Sequence, residues 1–352
     1  MEEETAILTH GNGSVKCEVN FEFTFYFLSS VYLLVFIIGL IANVFGLWNL
    51  CLNWKNWSSL NVFVLNLGIA DLLYVITLPF FVSYYHREET WMFGFGFCRL
   101  TRCVFHINMY ASISFLTCIS VQRYLGIVHP MKMMGRFRNL RYSFIISFLV
   151  WIWVLLQVLP NLLFMNTDRN ATHCHDSTGN ENLEIYKLYT IIITISGFFI
   201  PFLIIVVCYT RVLAVLKRNN NVDSSLIQRS MRLVCIIMIL FFVCFCPFYV
   251  LRNVNLLSRS WQLQGTCTQT LKSLYISYQV TRGLASLNSA INPLVYLVTN
   301  ENFVSKFRTM RRKSLHTLAS LKKFTTRGDS RQQSISVSKD QEEEDHTEES
   351  KE

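Results

Sequence analysis

Three arginines lie one or two turns inside the same predicted end of long apolar stretches of the chain: Arg102, Arg252 and Arg282. The guanidinium group is always ionised and forks onto carboxylate or phosphate oxygens. His106 and Tyr110 follow Arg102 at intervals of four residues, so all three share one helix face. This set predicts a cationic, aromatic-lined pocket for a small polyanion. The alternative, arginines that only snorkel to the membrane surface beside an aromatic belt, explains one arginine well and three poorly.

Asp71 is the second candidate, because a carboxylate in the middle of an apolar stretch is expensive and is rarely retained for stability alone. Polar partners occur in other apolar stretches, at Asn43, Asn288, Ser289 and Asn292. They predict a buried polar cluster that rearranges between states, with Na⁺ as the one candidate cofactor and no other metal. The alternative is a static network that satisfies only its own hydrogen bonds.

The composition indicates that a membrane positions these residues. Hydrophobic residues make up 52% of the 352 residues and charged residues 16%, against about 25% charged residues in a soluble domain. This excludes a soluble enzyme and a disordered chain. The net charge of +9 is attributed to basic segments facing lipid headgroups, not to nucleic-acid binding.

Seven stretches reach the length of about 20 apolar residues that crosses a bilayer, which predicts an all-α, seven-transmembrane helix bundle. Pro201, Pro247 and Pro293 lie inside the fifth, sixth and seventh stretches and predict kinks that could serve as hinges. The predicted spans are Phe23–Leu50, Asn61–Tyr85, Cys98–Leu125, Ser143–Phe164, Tyr186–Leu216, Met231–Leu257 and Leu271–Val298.

Basic loops place the C-terminus in the cytosol and the N-terminus outside, in a plasma membrane. Residues 1–22 are then extracellular and 23–300 form the bundle. Residues 301–313 are predicted to form an amphipathic helix on inner-leaflet lipid, and 314–352 a disordered tail with candidate phosphorylation sites. Asn12 and Asn170 are glycosylation candidates on the outer side. Four cysteines fall on that oxidising side and allow three pairings: Cys17, Cys98, Cys174 and Cys267.

Motifs along the bundle carry a resemblance to a known family. Over about residues 20–315 the chain resembles the rhodopsin-like G-protein-coupled receptors. Each motif alone is weak evidence, but jointly they are highly specific. They are Asn43, Asp71 in LNLGIADLL, Cys98, Ser120-Val121-Gln122-Arg123-Tyr124, Trp151, Pro201 with Tyr209, Phe245-Cys246-Pro247, and Asn292-Pro293-Leu294-Val295-Tyr296.

The resemblance implies a Cys98–Cys174 disulfide and a toggle at Phe245 and Pro247. It also implies a G-protein switch, which comprises Arg123, Tyr124, Tyr209 and Tyr296. Two departures matter. Gln122 stands where the family usually has an acidic residue, so an ionic lock to Arg123 is absent and higher basal activity is expected. Phe245 replaces the tryptophan of many members.

Within that family the sequence is similar to the metabotropic purinergic nucleotide receptors, through FHINMYASISFLTCISVQRYLGIVHPM and SYQVTRGLASLNSAINPLVY. The resemblance implies a second disulfide, Cys17–Cys267. It also implies ligand contacts at Arg102, His106, Tyr110, His175, Ser177, Arg252, Asn255, Tyr275, Tyr278, Gln279 and Arg282. Tyr249 replaces a histidine of many members, which bears on base or phosphate preference.

The expected function is therefore a receptor for extracellular nucleotides, ADP or ATP before UDP or UTP. By analogy it signals through a heterotrimeric Gq-type protein, phospholipase C and calcium, with arrestin and receptor kinases as further partners. The rival is a receptor for a dicarboxylate such as succinate or oxoglutarate, which shares the arginines. A transporter of a small organic anion predicts internal repeats, and an enzyme predicts a clustered base and nucleophile; neither feature is found.

Overall fold

The structure is a computed structural model that describes residues 22–52, 57–87, 90–129, 139–164, 174, 182–218, 224–263 and 269–295. Within this part of the chain all regular elements are helical. Several predicted features lie outside the described residues: Asn12, Cys17, Asn170, His175, Ser177, Cys267, Tyr296, the amphipathic helix at 301–313 and the tail at 314–352.

The helices form seven spans, which confirms the predicted all-α seven-helix bundle. Six are long and apolar enough to cross a membrane; span seven is more polar. Span one is Glu22–Leu52, span two Ser59–Val75 and Leu78–His86, span three Phe95–Val128, and span four Leu140–Phe164. Span five is Leu183–Thr194, a π turn at Ile195–Phe199, and Ile200–Arg218. Span six is Ser224–Ile239, a π turn at Leu240–Phe245, and Cys246–Leu263. Span seven is Gln269–Ser286 and Asn288–Ile291.

Span three is the central element, because it has the largest buried share of the six apolar spans. Its buried side chains run from Cys98 to Gln122. Trp151 of span four adds a polar link across the neighbouring helices, since its Nε1 donates to Asn66 Oδ1 of span two at 2.8 Å. Because its buried side chains extend over most of its length, span three can present side chains to a site at either end of the bundle.

Three of the prolines in the spans lie next to helix irregularities, whereas Pro160 lies inside the continuous helix of span four. Proline lacks the N–H that would bond the carbonyl four residues earlier, and a π turn is one local adjustment to that loss. A π turn precedes Pro201 in span five and another precedes Pro247 in span six. Span two breaks at Ile76–Thr77, just before Pro79; this interruption was not predicted.

The carbonyl freed by Pro293 belongs to Ser289, and span one supplies its donor. Asn43 Nδ2 donates to the Ser289 carbonyl at 2.8 Å and to the Gly39 carbonyl of its own helix at 2.9 Å. Gly39 allows span two to approach closely, because a Cβ at this position would lie 3.0 Å from the Val75 side chain. Asn43 thus joins span one to span seven at the proline.

Candidate anion-binding site

A disulfide marks one end of the bundle, called the disulfide end below. Cys98, in the first turn of span three, is bonded to Cys174, with the two Cα atoms 5.7 Å apart. The pairing implied by the family resemblance is therefore present. The Cys174 carbonyl accepts a hydrogen bond from Arg102 Nη2 at 2.7 Å. The disulfide consequently holds a loop carbonyl against the first of the three arginines.

Arg102 is buried, with 2% of its surface exposed. Its guanidinium carbon lies 4.6 Å from the ring centroid of Phe81 and 5.9 Å from that of Tyr84, both in span two. Such cation–π contacts are stronger where water is excluded. Trp91 packs on both rings, at centroid distances of 6.1 Å and 5.8 Å. Arg102 is therefore held by aromatic faces inside the bundle and does not snorkel to its surface.

Arg252 of span six is held by two phenols. Its Nη1 donates to Tyr110 Oη of span three at 3.2 Å, and its Nη2 donates to Tyr186 Oη of span five at 3.1 Å. Tyr186 in turn donates to Asn161 Oδ1 of span four at 3.1 Å. Both partners of this buried cation are neutral, and the described residues give Arg252 no acidic ion-pair partner.

Arg282 of span seven is buried, and it hydrogen-bonds to a side chain of its own helix. Its Nη1 donates to Gln279 Oε1 at 2.9 Å, and Gln279 Nε2 donates to Tyr275 Oη at 2.6 Å. The guanidinium carbon lies 6.0 Å from the ring centroid of Phe105 in span three. The polar residues that flank Arg282 in the sequence therefore orient it toward span three.

The three arginines meet one segment of span three. Arg102 belongs to it, Arg282 lies over Phe105, and Arg252 bonds Tyr110. This segment covers nine residues, about 12 Å of helix. His106 lies inside it, 1% exposed, and stacks on Tyr110 with ring centroids 6.1 Å apart. The structure thus gathers three cations and an imidazole at the disulfide end, as an anion site requires; ligand contact itself stays a prediction.

Two further described positions of the predicted ligand set lie on spans six and seven, and one of them, Tyr278, reaches this segment through Phe248. Tyr278 stacks on Phe248 at 6.0 Å, and Phe248 meets Phe105 edge-on at 5.7 Å. Asn255 is half-buried one turn beyond Arg252, and its carbonyl accepts from Ser258 Oγ at 2.8 Å. Tyr249 stacks on Phe198 at 4.9 Å. Its buried hydroxyl has no hydrogen-bond partner among the described residues.

Asp71 is fully buried and lies in a cluster of amides. It accepts hydrogen bonds from Asn108 Nδ2 at 2.9 Å and from Asn292 Nδ2 at 2.9 and 3.1 Å. Asn288 and Ser289 reach Asn108 Oδ1 at 3.4 and 3.2 Å. Asn43 joins this set through the Ser289 backbone. The structure therefore brings the predicted cluster together.

Span three contributes two residues to this cluster that the sequence did not reveal. Asn108 bridges Asp71 and span seven, and Ser112 Oγ lies 3.4 Å from Asn288 Oδ1. Their spacing of four residues, on the same helix as Arg102 and Tyr110, was the available signal.

The opposite end of span three carries the predicted G-protein switch and is called the Arg123 end. Arg123 is half-buried and follows the buried Gln122. Tyr124 Oη lies 3.2 Å from His129 Nε2. Tyr209 of span five shares a hydrogen bond with Ser120 at 3.0 Å. Phe245 ends the π turn of span six, fully buried and edge-on to Phe241, immediately before Cys246 and Pro247.

Comparison with known proteins agrees with this geometry. The family described as "7 transmembrane receptor (rhodopsin family)" matches residues 42–296. Purinoceptor 1 of Meleagris gallopavo is 40% identical over 309 residues, 86% of this chain and 85% of that protein. The Homo sapiens purinoceptor 1 is 38% identical over 308 residues, 86% of this chain and 82% of that one. Purinoceptor 4 of Mus musculus is 36% identical over 307 residues, 86% and 84% of the two chains. The chain therefore belongs to the rhodopsin family of seven-transmembrane receptors and, within it, to the metabotropic purinoceptors, which are multi-pass plasma-membrane receptors and not enzymes.

Proposed function

We propose that this protein is a receptor for an extracellular nucleotide, ADP or ATP before UDP or UTP, which binds at the disulfide end. The N-terminus and the disulfide end face outward, and the Arg123 end meets a heterotrimeric Gq-type protein that raises calcium through phospholipase C. The observation that carries the proposal is the convergence of three buried arginines on the Arg102–Tyr110 segment. Membership of the purinoceptors supports the nucleotide as the anion.

The geometry suggests how binding would drive the response. Without ligand, Arg252 bonds two neutral phenols, whereas phosphate oxygens form charge-assisted bonds that are roughly twice as strong. A polyphosphate that replaces those contacts would link spans three, six and seven. The ligand shifts the equilibrium only if it binds this linked arrangement more tightly than the resting one. Phe245 and Pro247, below the site, would then let the Arg123 end of span six move outward.

The test uses cells that lack endogenous nucleotide receptors. Calcium is recorded on adding ADP, ATP, UDP, UTP, succinate or oxoglutarate, with a nucleotide-degrading enzyme as control. Wild type should answer an adenine nucleotide. Arg282→Ala should abolish the response at equal surface expression, and Arg282→Lys should restore it only in part because lysine lacks the planar fork.

Arg87→Ala is the matched control, because Arg87 is exposed at the same end of the bundle and contacts Met92 Sδ at 2.9 Å. It should respond like wild type. A full-potency response from Arg282→Ala would remove the pocket assignment. A response only to succinate or oxoglutarate would establish the dicarboxylate alternative and keep the cationic pocket.

Na⁺ at Asp71 is a second proposal, and the donor set fits it. Asp71 supplies a buried carboxylate, Ser112 a hydroxyl oxygen, and the buried Asn292 Oδ1 has no hydrogen-bond partner among the described residues. Hard cations prefer such oxygens. The ion would neutralise the carboxylate inside the bundle, and the residues around it would hold spans two, three and seven in the resting arrangement.

A further inference from the structure

Span four ends near the anion site without a cation of its own. Its helix runs to Phe164, and its last turn contains no basic residue. The last four carbonyls of a helix have no partner within that helix, and a positive charge stabilises this end. Arg99 of span three supplies a donor and the charge, because its Nη2 donates to the Leu162 carbonyl. The end of span four is therefore capped from a neighbouring helix.

The first turn of span three places Arg99 for this contact. Arg99 is half-buried and follows Cys98, which the disulfide fixes. Its guanidinium carbon lies 5.4 Å from the ring centroid of Phe95, one turn earlier on the same helix. Arg102, one turn later, instead contacts span two and the Cys174 carbonyl. The two arginines therefore contact different neighbours, and the neighbour of Arg99 is span four.

The capped turn of span four contacts Tyr186 of span five through both its hydroxyl and its ring. Asn161 Oδ1 accepts a hydrogen bond from the Tyr186 hydroxyl at 3.1 Å. The Phe164 ring meets the Tyr186 ring edge-on, with centroids 5.8 Å apart. Leu162, whose carbonyl Arg99 caps, lies between these two residues in the sequence. A shift of this turn would therefore move both contacts of Tyr186 together.

Tyr186 in turn contacts the second arginine of the anion site, since its hydroxyl accepts from Arg252 Nη2 at 3.1 Å. A chain of contacts therefore runs from Arg99 through span four and Tyr186 to Arg252. We propose that Arg99 is a positioning residue for the anion site, which sets the resting position of Arg252 without contacting the ligand. This inference rests on the proposed nucleotide site and adds a residue that controls its affinity.

The direction of the effect separates positioning from ligand contact. Tyr186 stabilises Arg252 in the ligand-free receptor, and the proposed complex replaces this phenol with phosphate oxygens. If Tyr186 is less well fixed, the free receptor loses more stability than the complex does, so affinity for the nucleotide rises. A cation that contacted or attracted the nucleotide would have the opposite effect, because its loss would lower affinity.

Arg99→Met is the test variant, since it keeps an unbranched apolar side chain and removes the charge and every N–H donor. ADP affinity is measured by competition against a radiolabelled nucleotide at equal surface expression. It should rise about three- to tenfold, as expected for the loss of one hydrogen bond. In a Tyr186→Phe background Arg99→Met should leave affinity unchanged, because the phenol that it releases is already absent. Arg99→Lys keeps a cationic donor and should bind ADP like wild type.

Arg87→Gln is the matched control, because Arg87 is exposed at the same end of the bundle and contacts Met92 Sδ at 2.9 Å. It removes one positive charge and should not raise ADP affinity. A fall in affinity in Arg99→Met would show a cation that contacts or attracts the ligand, and an unchanged affinity would show a purely structural cap. Either result would overturn the positioning role, as would an equal rise in the tyrosine and phenylalanine backgrounds.

Thermal inactivation of the ligand-free receptor separates this inference from the proposed ligand. Mutations at sites linked by shared partners do not add, so Arg99→Met should lower the inactivation temperature less in the Tyr186→Phe background than in wild type. Arg87→Gln should give equal shifts in both backgrounds. If no nucleotide binds but Arg99→Met shows the smaller shift, the nucleotide is refuted and the positioning role is retained. If ADP binds and the two Arg99→Met shifts are equal, the positioning role is refuted and the nucleotide is retained.

Discussion

Tyr186→Phe offers a sharp test of how Arg252 is stabilised. The substitution removes the hydroxyl that accepts from Arg252 Nη2 and donates to Asn161 Oδ1, each at 3.1 Å. A hydrogen bond to a charged group contributes about 1.5–3 kcal/mol, and a buried amide oxygen left without its donor costs about 1–3 kcal/mol. After relaxation, the ligand-free receptor should lose about 2–5 kcal/mol of its free energy of unfolding.

The same substitution should strengthen nucleotide binding. In the proposed complex, phosphate oxygens replace the phenol on Arg252, so the ligand-bound receptor loses less stability than the free receptor does. The difference, about 1.5–3 kcal/mol, corresponds to an affinity gain of about ten- to a hundredfold. Thermal inactivation of the purified receptor should therefore begin at a lower temperature without nucleotide, and the stabilisation by ADP should be larger than in wild type.

Tyr189→Phe is the matched control. Tyr189 lies three residues further along span five, and its hydroxyl donates to the Gln157 carbonyl at 2.6 Å. Loss of this neutral bond should cost about 0.5–1.5 kcal/mol and leave the stabilisation by ADP unchanged. If Tyr186→Phe lowers the stability of the free and bound receptor equally, the phenol keeps its place in the complex and the displacement argument is wrong.

Other positions yield further predictions. Asn43→Ala should lower the unfolding free energy by about 1–3 kcal/mol, because the Ser289 carbonyl loses its donor; a thermal melt unchanged from wild type would contradict this. Gln157→Leu should instead raise the melting temperature, because both amide atoms of the buried Gln157 have no hydrogen-bond partner among the described residues and an apolar side chain removes their desolvation cost; a lower melting temperature would count against it. Replacing Na⁺ with N-methylglucamine should raise agonist affinity in wild type but not in Asp71→Asn, as radioligand competition can measure; equal effects in both would exclude the ion site.

Side chains whose type is unusual for their position were predictable from the sequence. An arginine or aspartate in an apolar helix is rare enough to identify the pocket arginines and Asp71 without a structure. Asn292 follows from Asp71, since a buried carboxylate needs donors. The packing of these groups against span three was not predictable, because periodicity fixes one face of a helix but not its rotation against neighbours.

Residues of ordinary type were missed for the same reason. Tyr186 near the end of a span is typical of an interfacial aromatic, and only the structure shows its phenol on Arg252. Asn108 and Ser112 do not stand out in span three, which is the most polar of the six apolar spans. The break in span two has a different origin, because Pro79 lies inside the predicted span Asn61–Tyr85 and cannot donate the backbone hydrogen bond that a continuous helix needs.

The bond between Asn43 and the Ser289 carbonyl has a genetic consequence. Its acceptor is main chain, which every residue possesses, so a substitution at position 289 changes a side chain and leaves the acceptor in place. The donor is a side-chain amide that a missense change at position 43 can remove. A missense change at position 43 can therefore delete this link between the first and last spans. A missense change at position 289 leaves the carbonyl that accepts the bond in place. A mutational scan should show that asymmetry directly.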